Sequence, residues 1–401
     1  MRIILLGHSK ILGGAGIAAK RISDCLKKNN FDVFELFLDD YISSKKSFYL
    51  NLKYLILLFF EKIVKKFQIN SSSNLNSLGL FGFFKAKHLD KIDGGIVNLL
   101  WINNSVISIN EISKIKKNII WTVFDTWPFC GTEHYTDTNR FLEGYYESNK
   151  PVNQKGLDLD RYVWRQKKKF FKDKNIKILA TSNWLFKLLK KSQLFKENKI
   201  YKINYPIDTN IWTPIDKNIA REKLGIAQDS SVIIYGGGFA RNRKGFDILA
   251  SSLLLDLNIK RKIIVLILGS TDKDFLNSKG VFFKNISFAN SVKDQILCHS
   301  AADIIAVPSR FDNIPNFGIE SMACKTPLIT FDVGGCGEMV EHMKSGWISK
   351  PFDLKDYSKG ISWLLDDKER LEELSINARE FIKKNFNYEN YIQDFKKILI
   401  N

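Results

Sequence analysis

The sequence predicts an α/β protein that consists of two Rossmann-like domains. Short runs of apolar, β-branched residues alternate with helical patterns along the whole chain, which is typical of parallel strand–helix units. About five such strands fall in each half, so two sheets are a more economical arrangement than one large sheet. The length of 401 residues is sufficient for two domains with separate cores.

The expected strands of the first half are 3–6, 33–38, 96–101, 119–124 and 176–180, and those of the second half are 232–235, 263–268, 281–283, 304–307 and 328–331. Residues 205–214 form a turn-rich stretch between the two periodic regions and indicate the boundary. We therefore expect an N-terminal domain at 1–205 and a C-terminal domain at 206–385. The remaining residues, 386–401, carry an apolar stripe at helical spacing, which predicts a helix that returns toward the N-terminal domain.

The chain is strongly basic, with a formal net charge of +18. A charge of this size implies an anionic partner and leaves nucleic acid, an anionic lipid surface and a phosphorylated substrate open. The five cysteines are scattered without a CxxC pair, which argues against a disulfide framework or a zinc site and favours a reducing compartment. We therefore expect a cytoplasmic protein.

One segment, 54–67, combines an apolar face with a basic face at helical spacing. The apolar face contains Phe60, Ile63, Val64 and Phe67, and the basic face contains Lys62, Lys65 and Lys66. A basic amphipathic helix of this kind can lie in an anionic membrane interface. The alternative is a surface helix whose apolar face packs on the N-terminal sheet. The apolar run at 54–60 is too short to cross a bilayer, since spanning needs about 20 residues.

Two acidic residues of the second half, Asp312 and Glu320, enclose a loop rich in proline, asparagine and glycine. The strand at 304–307 runs into the first acid, and a helix carries the second. Because open α/β sheets bind ligands at the carboxyl ends of their strands, both acids are candidates for ligand contact. The next strand opens into a glycine-rich turn at 334–337, which suits a phosphate. The pattern favours a nucleotide-sugar site over the alternative of a loop carboxylate and a solvated helix residue.

A second glycine-rich loop follows the first strand of the C-terminal half. Residues 235–245 contain three consecutive glycines, with Gly237 at their centre, and the cations Arg241, Arg243 and Lys244. Glycines let a backbone approach phosphates closely, and arginine and lysine neutralise them. We interpret this segment as a diphosphate-binding loop, with Lys244 as the main contact and Arg241 or Arg243 as its helper. The alternative is a flexible basic loop exposed to solvent.

A glycine turn in the N-terminal half is a further candidate. Residues 13–16 read Gly-Gly-Ala-Gly and open the helix predicted at 17–26. Their spacing lacks the GxGxxG pattern, which disfavours a nicotinamide or flavin cofactor. A turn that only permits tight strand–helix packing is as reasonable as one in which Gly14 faces a ligand.

The block at 122–135 is rich in polar and aromatic residues that a purely structural loop does not need. Asp125 is its best acidic candidate for a site residue. Glu133 and His134 are further candidates for sugar contact, although a single loop histidine is more often incidental. Cys130 has no assignable helper base, which makes it a weak candidate nucleophile.

Together these residues make the chain similar to family-4 retaining glycosyltransferases of the GT-B class, and most similar to the branch that builds bacterial surface polysaccharides. The segments that carry the resemblance are 13–16, 121–128, 181–185, 205–208, 243–246 and 312–338. The resemblance implies two Rossmann-like domains that face a cleft, with the C-terminal helix packed back across them. It also implies transfer of a sugar, with retention, from a nucleoside-diphosphate sugar to a hydroxyl of a glycan, such as a lipid-linked oligosaccharide intermediate.

The resemblance also implies roles for individual residues. The family pattern of an acid, seven residues and a glutamate matches Asp312 and Glu320; the first acid lies by the donor sugar and the second holds the ribose. Lys244 stabilises the diphosphate. Asp125 is the best candidate of the N-terminal domain for positioning the acceptor or the donor sugar, and it completes the expected catalytic set. The diphosphate is also covered by backbone amides of a loop that contains Asn316, Phe317, Gly318 and Ile319.

Three positions depart from the family pattern. Asp312 stands where the family usually has glutamate, which shortens the side chain by one methylene. Phe124 stands where the family has a histidine that touches the donor, so that either the donor differs or another group substitutes. The usual arginine ahead of the lysine is displaced, since Gly238 lies near its expected position.

The expected partners are a nucleotide-sugar donor and a glycan or lipid-linked acceptor, and peripheral contact with the inner face of the cell membrane stays open beside them. No cofactor or divalent metal is expected, since Lys244 and a neighbouring arginine would stabilise the departing diphosphate. Two rival interpretations stay open: a GT-B sugar-nucleotide epimerase, and a non-catalytic basic protein that binds membrane or nucleic acid. The sequence shows no zinc-finger or RRM signature, which disfavours nucleic acid.

Overall fold

The computed structural model describes residues 1–42, 48–69, 75–237, 241–255, 261–269, 280–286, 289 and 291–400, with only the backbone of Arg241. The chain divides into two compact units. The first unit contains Met1–Pro206 and Tyr391–Asn401, and the second contains Ile207–Asn390. Each unit is built around its own parallel sheet, so the predicted pair of Rossmann-like domains is confirmed.

The sheet of the first unit has six parallel strands: β1 (Ile3–Gly7), β2 (Val33–Phe37), β4 (Ile96–Leu99), β5 (Asn118–Val123), β7 (Ile176–Ala180) and β8 (Ile200–Lys202). Their order is β2-β1-β4-β5-β7-β8. Two short strands, β3 (Gln68–Ile69) and β6 (Lys155–Gly156), pair antiparallel outside this sheet. Strands β1 and β4 are buried along their length, and β5 is buried after its first residue, Asn118, as their largely apolar sequences predict.

The helices of the first unit are α1 (Gly13–Lys28), α2 (Leu38–Ile42), α3 (Phe48–Lys65), α4 (Ala86–Asp90), α5 (Ile109–Lys114), α6 (Arg140–Glu143), α7 (Leu159–Phe171) and α8 (Asn183–Lys191). The C-terminal helix α16 (Tyr388–Ile400) also packs here: the ring of Phe395 lies 6.1 Å from that of Phe31, and the Nζ of Lys177 donates to the carbonyl of Ile398 at 2.9 Å. The C-terminal helix predicted within residues 386–401 is therefore confirmed.

The sheet of the second unit also has six parallel strands: β9 (Ser231–Gly236), β10 (Ile263–Leu268), β11 (Val281–Ile286), β12 (Ile304–Val307), β13 (Leu328–Phe331) and β14 (Gly346–Ser349). Their order is β11-β10-β9-β12-β13-β14. The helices are α9 (Lys217–Lys223), α10 (Arg241–Lys244), α11 (Phe246–Leu253), α12 (Val292–Ala301), α13 (Asn316–Ala323), α14 (Leu354–Leu365) and α15 (Lys368–Asn385). The strand order reverses between β9 and β12, and ligands bind at this position in open α/β sheets.

Several predicted elements differ from the structure. Each sheet has six strands rather than five, because β8 and β14 are short and carry polar or glycine residues that weaken their apolar pattern. Helix α1 begins at Gly13, four residues before the expected position, because a glycine tolerates the positive φ of +68° at its start. The basic segment 241–244 forms one helical turn instead of an open loop.

The amphipathic helix also differs from its prediction. Helix α3 spans Phe48–Lys65, so Phe67 lies beyond its end. Val64 packs against the core of the unit, whereas Phe60 and Ile63 are exposed. Within the described ranges, no helix is both long and apolar enough to span a bilayer.

Candidate functional site

The site of the second unit lies where its strand order reverses. Strands β9 and β12 are neighbours, and both are followed by segments rich in polar residues. The segment after β9 supplies Arg243 and Lys244 at the end of α10, and the segment after β12 supplies Asp312. Because parallel strands end at the same edge, these side chains are brought together although 68 residues separate Lys244 from Asp312.

Asp312 is the electrostatic centre of this site. Its Oδ2 atom lies 2.6 Å from the Nζ of Lys244 and 2.8 Å from Nη1 of Arg243. Burial would raise the pKa of the Asp312 carboxyl, but the charges and hydrogen bonds of Lys244 and Arg243 outweigh it and hold the pKa below its ordinary value. Asp312 is therefore an anion at neutral pH, paired with two cations that are only partly buried.

Backbone hydrogen bonds fix the three segments around this carboxylate. The amide of Arg310 donates to the carbonyl of Arg243 at 2.7 Å, and Nη1 of Arg243 donates to the carbonyl of Phe311 at 2.8 Å. The amide of Gly335, after β13, donates to the carbonyl of Asp312 at 3.1 Å. The segments that follow β9, β12 and β13 consequently form one connected structure.

Glycines permit the close approach of these segments. Gly245 has a φ of +70°, and a Cβ atom there would lie 1.9 Å from the carbonyl oxygen of Pro308. Gly334 has a φ of +58°, and its Cβ atom would lie 2.0 Å from the carbonyl oxygen of Asp312. Any other residue at either position would displace the segment that carries a charged group of the site.

Glu320 lies in α13, beside the same edge of the sheet. Its side chain is 4% exposed. The residues Asn316, Phe317, Gly318 and Ile319 form the first turn of this helix, so the predicted loop at this position is wrong. Pro315, with a φ of −62°, precedes the helix and starts it. The first N–H groups of a helix lack partners within it and carry the positive end of its dipole, which suits an anionic ligand next to two cations.

Strand β9 and helix α13 meet closely. A Cβ atom at Gly236 would lie 2.8 Å from the ring of Phe317, so the glycine permits this contact. At the next residue, Gly237, a Cβ atom would lie 2.6 Å from the ring of Tyr235. The side chain of Arg241 and the whole of Gly238 lie outside the described residues.

The two predicted site residues of the N-terminal half, Gly14 and Asp125, belong to the first unit. Gly14 lies exposed in the first turn of α1. Asp125 is 5% exposed, just beyond the carboxyl end of β5. Its Oδ1 atom accepts the amide of Trp127 at 3.0 Å, and its Oδ2 atom accepts Nε1 of Trp101 at 3.1 Å. The carboxylate thus orders the loop that follows β5.

Asp125 also fixes a buried histidine. Nδ1 of His134 lies 2.6 Å from Oδ2 of Asp125, and Nε2 lies 2.9 Å from Oγ of Ser77. His134 is 0% exposed and Glu133 is 2% exposed, so neither can contact a sugar in this conformation. Both of the suggested sugar contacts are therefore internal groups of the first unit.

Sequence reasoning did not identify Lys167 as the residue that holds this loop. Its ammonium group is fully buried and donates to the carbonyls of Cys130 at 3.0 Å and Gly131 at 2.8 Å, and also to that of Trp127. Burial lowers the pKa of Lys167 to about 7. The signal was present, because Lys167 occupies a position on the apolar face of α7, with Val163.

Phe124, which replaces the histidine expected from the resemblance, directly follows β5. Its side chain is 9% exposed, and its ring centroid lies 6.0 Å from that of Tyr205. An aromatic ring at this position offers no hydrogen bond to a phosphate or a sugar hydroxyl, so no group at this residue takes over the role of the histidine.

Residues 216–381 match the family model described as "Glycosyl transferases group 1", which covers most of the second unit. D-inositol 3-phosphate glycosyltransferase 1 of Catenulispora acidiphila is 27% identical over 195 residues, or 45% of this chain and 46% of that protein. The capsular polysaccharide biosynthesis glycosyltransferase CapM of Staphylococcus aureus is 26% identical over 218 residues, or 52% of this chain and 57% of that protein. The chain therefore spans about half the length of the curated relatives it matches.

Solved structures match over the whole chain. The sucrose-phosphate synthase of Thermosynechococcus elongatus has a TM-score of 0.67 at 17% identity and covers 100% of this chain and 98% of its own. HepE of Anabaena, solved in complex with UDP-glucose, has a TM-score of 0.62 at 14% identity and covers 100% of both chains. At these identities the likeness concerns the fold, and it confirms the predicted GT-B class of two Rossmann-like units.

Proposed function

We propose that this chain is a family-4 retaining glycosyltransferase that transfers a sugar from a nucleoside-diphosphate sugar to a hydroxyl group of a glycan. The observation that carries the proposal is the cluster of Lys244, Arg243 and Asp312 at the strand-order reversal of the second unit. The match of residues 216–381 to the group 1 glycosyl transferases supports it. HepE, of the same fold, binds UDP-glucose, which supports a nucleotide sugar as the donor.

Transfer breaks the bond between the anomeric carbon and the diphosphate, and negative charge grows on the departing diphosphate. Lys244 and Arg243 would stabilise that charge, together with the first turn of α13. The two cations are already held in place by Asp312, so little reorganisation is needed when the donor binds. Asp312 would lie beside the donor sugar, and Glu320 would accept hydrogen bonds from the ribose.

The proposed reaction needs no metal and no cofactor beyond its substrates. A divalent cation would otherwise neutralise the diphosphate, and the two side-chain cations of the site can supply this charge. The acceptor hydroxyl would attack on the face that the diphosphate leaves, which retains the configuration. The first unit would bind the acceptor, with Asp125 and Gly14 at its sheet edge.

The proposed acceptor is a lipid-linked oligosaccharide intermediate of a bacterial surface polysaccharide. The similarity to CapM, a capsular polysaccharide biosynthesis glycosyltransferase, supports this choice.

We place the protein in the cytoplasm, because its five cysteines, all in the described part of the chain, are buried thiols rather than disulfides. Peripheral contact of α3 with the inner face of the cell membrane would bring the protein to such an acceptor, and the exposed apolar residues of α3 support it.

A thermal-shift panel of UDP-, GDP-, ADP- and dTDP-sugars tests the donor site. One sugar nucleotide should raise the Tm of the wild-type protein, and Glu320→Ala and Lys244→Ala should each abolish that increase. Lys359→Ala, an exposed lysine of α14, is the control and should retain it. If both site variants bind the donor as well as wild type does, the assignment of the site is wrong.

A further inference from the structure

A basic cavity lies on the surface of the first unit, beside α4 and α5. Its volume is about 630 Å³. Five of its lining residues are lysines: Lys85, Lys87, Lys91, Lys114 and Lys116. Two lining carboxylates, Asp90 and Glu111, oppose them, so the lining carries three more positive than negative charges. We call this cavity the lysine pocket.

The two carboxylates of the lysine pocket are engaged in hydrogen bonds within the protein. Oδ1 of Asp90 accepts the amide of Lys116 at 3.1 Å. Oε2 of Glu111 accepts the amide of Ala86 at 2.9 Å, and its Oε1 lies 3.0 Å from the ammonium group of Lys114. Of the pocket's lysines, only Lys114 is therefore paired with a carboxylate in the described part of the chain. The other ammonium groups can neutralise an external anion.

The lysine pocket is electrostatically continuous with α3. Lys53 of α3 donates to the carbonyl of Phe83 at 2.9 Å. Burial lowers the pKa of Lys53, and the charge of Lys85 lowers it further. Burial lowers the pKa of His88 in α4, and the charges of Lys53 and the neighbouring lysines lower it further. A concentrated positive potential therefore extends from the pocket to the surface of α3.

The outer surface of α3 is apolar over most of its length. Its exposed apolar side chains are Phe48, Tyr49, Leu52, Leu55, Ile56, Phe59, Phe60 and Ile63, with exposures from 37% to 81%. We call this surface the apolar ridge. Tyr49 and Ile56 lie four residues before and three residues after Lys53, so the ridge and the basic region are adjacent on the helix.

Polar contacts hold the inner surface of α3. Glu61 is the most deeply buried residue of the helix, and its carboxylate accepts the amide of Leu78 at 3.1 Å and the hydroxyl of Ser105 at 3.0 Å. The hydroxyl of Tyr54 lies 3.2 Å from Nε2 of His8. These contacts, together with apolar residues such as Leu57 and Val64 that pack against the core, fix the inner side of α3. The outer side remains apolar and exposed, an arrangement that marks an interaction surface.

We propose that the lysine pocket binds the phosphate of an anionic lipid headgroup while the apolar ridge enters the membrane interface beside it. The inference rests on the membrane contact proposed above and gives it a specific site and a lipid chemistry. The charge of the pocket fits a phosphate, and the adjoining ridge fits acyl chains, so a phospholipid satisfies both surfaces at once. A free phosphate or a soluble phosphorylated metabolite would leave the ridge uncovered.

Vesicle flotation of the full-length protein tests this site. Wild type should bind vesicles of phosphatidylcholine and phosphatidylglycerol far better than vesicles of phosphatidylcholine alone. Removing three charges in the pocket, with K85Q, K87Q and K91Q together, should weaken binding to the anionic vesicles on the order of 100-fold. The matched control is K187Q, K190Q and K191Q, three exposed lysines of α8 with the same change in net charge, and it should bind nearly as wild type does.

Equal losses in the two triple variants would show a diffuse charge effect and overturn the proposal, as would unchanged binding of the pocket variant.

A second variant, I56S with F59S, should weaken binding to the anionic vesicles as well; unchanged binding would contradict the role of the ridge. Competition by soluble glycerol 1-phosphate at the same phosphate concentration should fail, and full competition would indicate a free-anion site instead. The nucleotide-induced thermal shift tests donor binding, on which the proposed function depends, separately from these results.

Discussion

At the scale of single residues, the central feature of the second unit is one carboxylate that holds two cations. Asp312 is buried, whereas its partners Lys244 and Arg243 are partly accessible to a ligand. The sequence predicted that Asp312 and the basic segment share a site, because both follow strands of the same half. It did not predict that they form ion pairs with each other, since contacts between segments 68 residues apart depend on the strand order.

Asp312→Asn should destabilise the protein by about 2 kcal/mol at neutral pH, because the two cations lose their buried partner. The folded-state pKa of Asp312 is lowered, so its contribution is present above the unfolded-state pKa and is lost as the pH falls through the folded-state value. The difference between variant and wild type should therefore shrink in acid. Denaturant unfolding at neutral and acidic pH measures this.

The control for this variant is Asp247→Asn. Its carboxylate pairs with Arg310 on the surface, where solvent screens the charges, so the loss should be only about 0.5 kcal/mol. Equal losses for Asp312→Asn and Asp247→Asn would contradict the importance of the buried cluster.

A second residue-scale prediction concerns Glu133 in the first unit. Burial and the neighbouring carboxylate of Asp160 raise the pKa of Glu133 to about 8. A raised carboxyl pKa favours folding below the unfolded-state value, and this contribution is lost as the pH rises through the folded-state value. The Tm of Glu133→Gln should therefore rise relative to that of wild type as the pH increases from about 5 to about 9. A constant difference across this range, measured by thermal unfolding, would show that Glu133 does not titrate there.

At the scale of elements, the junction between α10 and α11 determines where Lys244 lies. Helix α11 begins at Phe246, directly after Gly245, whose positive φ turns the chain against Pro308. The glycine-rich composition predicted that the backbone here approaches a phosphate; it did not predict that Gly245 lies against the carbonyl of Pro308. It could not predict the single turn of α10, because four residues are too few to show a helical period.

Gly245→Ala should cost about 3 kcal/mol, because the methyl group adds a clash with the Pro308 carbonyl to the cost of a positive φ. Gly225→Ala is the control: its φ is +60°, but the nearest atom to a Cβ there is the Nζ of Lys284, 3.9 Å away. Its cost should be about 1 kcal/mol. Chemical denaturation of both variants measures the difference, and equal costs would mean that the approach to Pro308 is not tight.

Helix α3 shows what an amphipathic pattern can and cannot predict. The periodicity correctly predicted a helix around residues 54–65 but extended it to Phe67. It also placed Phe60 and Val64 on one face, whereas the structure exposes the first and packs the second against the core. Apolar residues surround most of this helix, so the periodicity could not determine which side faces the core. In the structure that side is the one that contains the buried Glu61.

At the scale of the whole molecule, the chain builds two units, and the first is completed by the C-terminal helix. The alternation of strands and helices predicted both parallel sheets, because most residues of the central strands are apolar. The two edge strands β8 and β14 were missed, since an edge strand needs less apolar sequence than a central one. Charge and composition predicted an anionic partner but not its position.

Phe395→Ala should destabilise the first unit by about 4 kcal/mol, because the ring is fully buried against Phe31 and Tyr391. Ile400→Ala, at a side chain that is 87% exposed, should have almost no effect. The nucleotide-induced thermal shift should persist in both variants, since the proposed donor site belongs to the second unit. Unchanged denaturation of Phe395→Ala would contradict the packing of α16 in the first unit.

We propose that the second unit activates a nucleoside-diphosphate sugar through the cations held by Asp312. The most direct measurement is the release of nucleoside diphosphate from the sugar nucleotide that gives the largest thermal shift, without an added acceptor. Wild type and Lys359→Gln should release it slowly, and Lys244→Gln should reduce the rate on the order of 100-fold. Release by Lys244→Gln at the wild-type rate, or conversion of the donor sugar to an epimer without release, would contradict the claim.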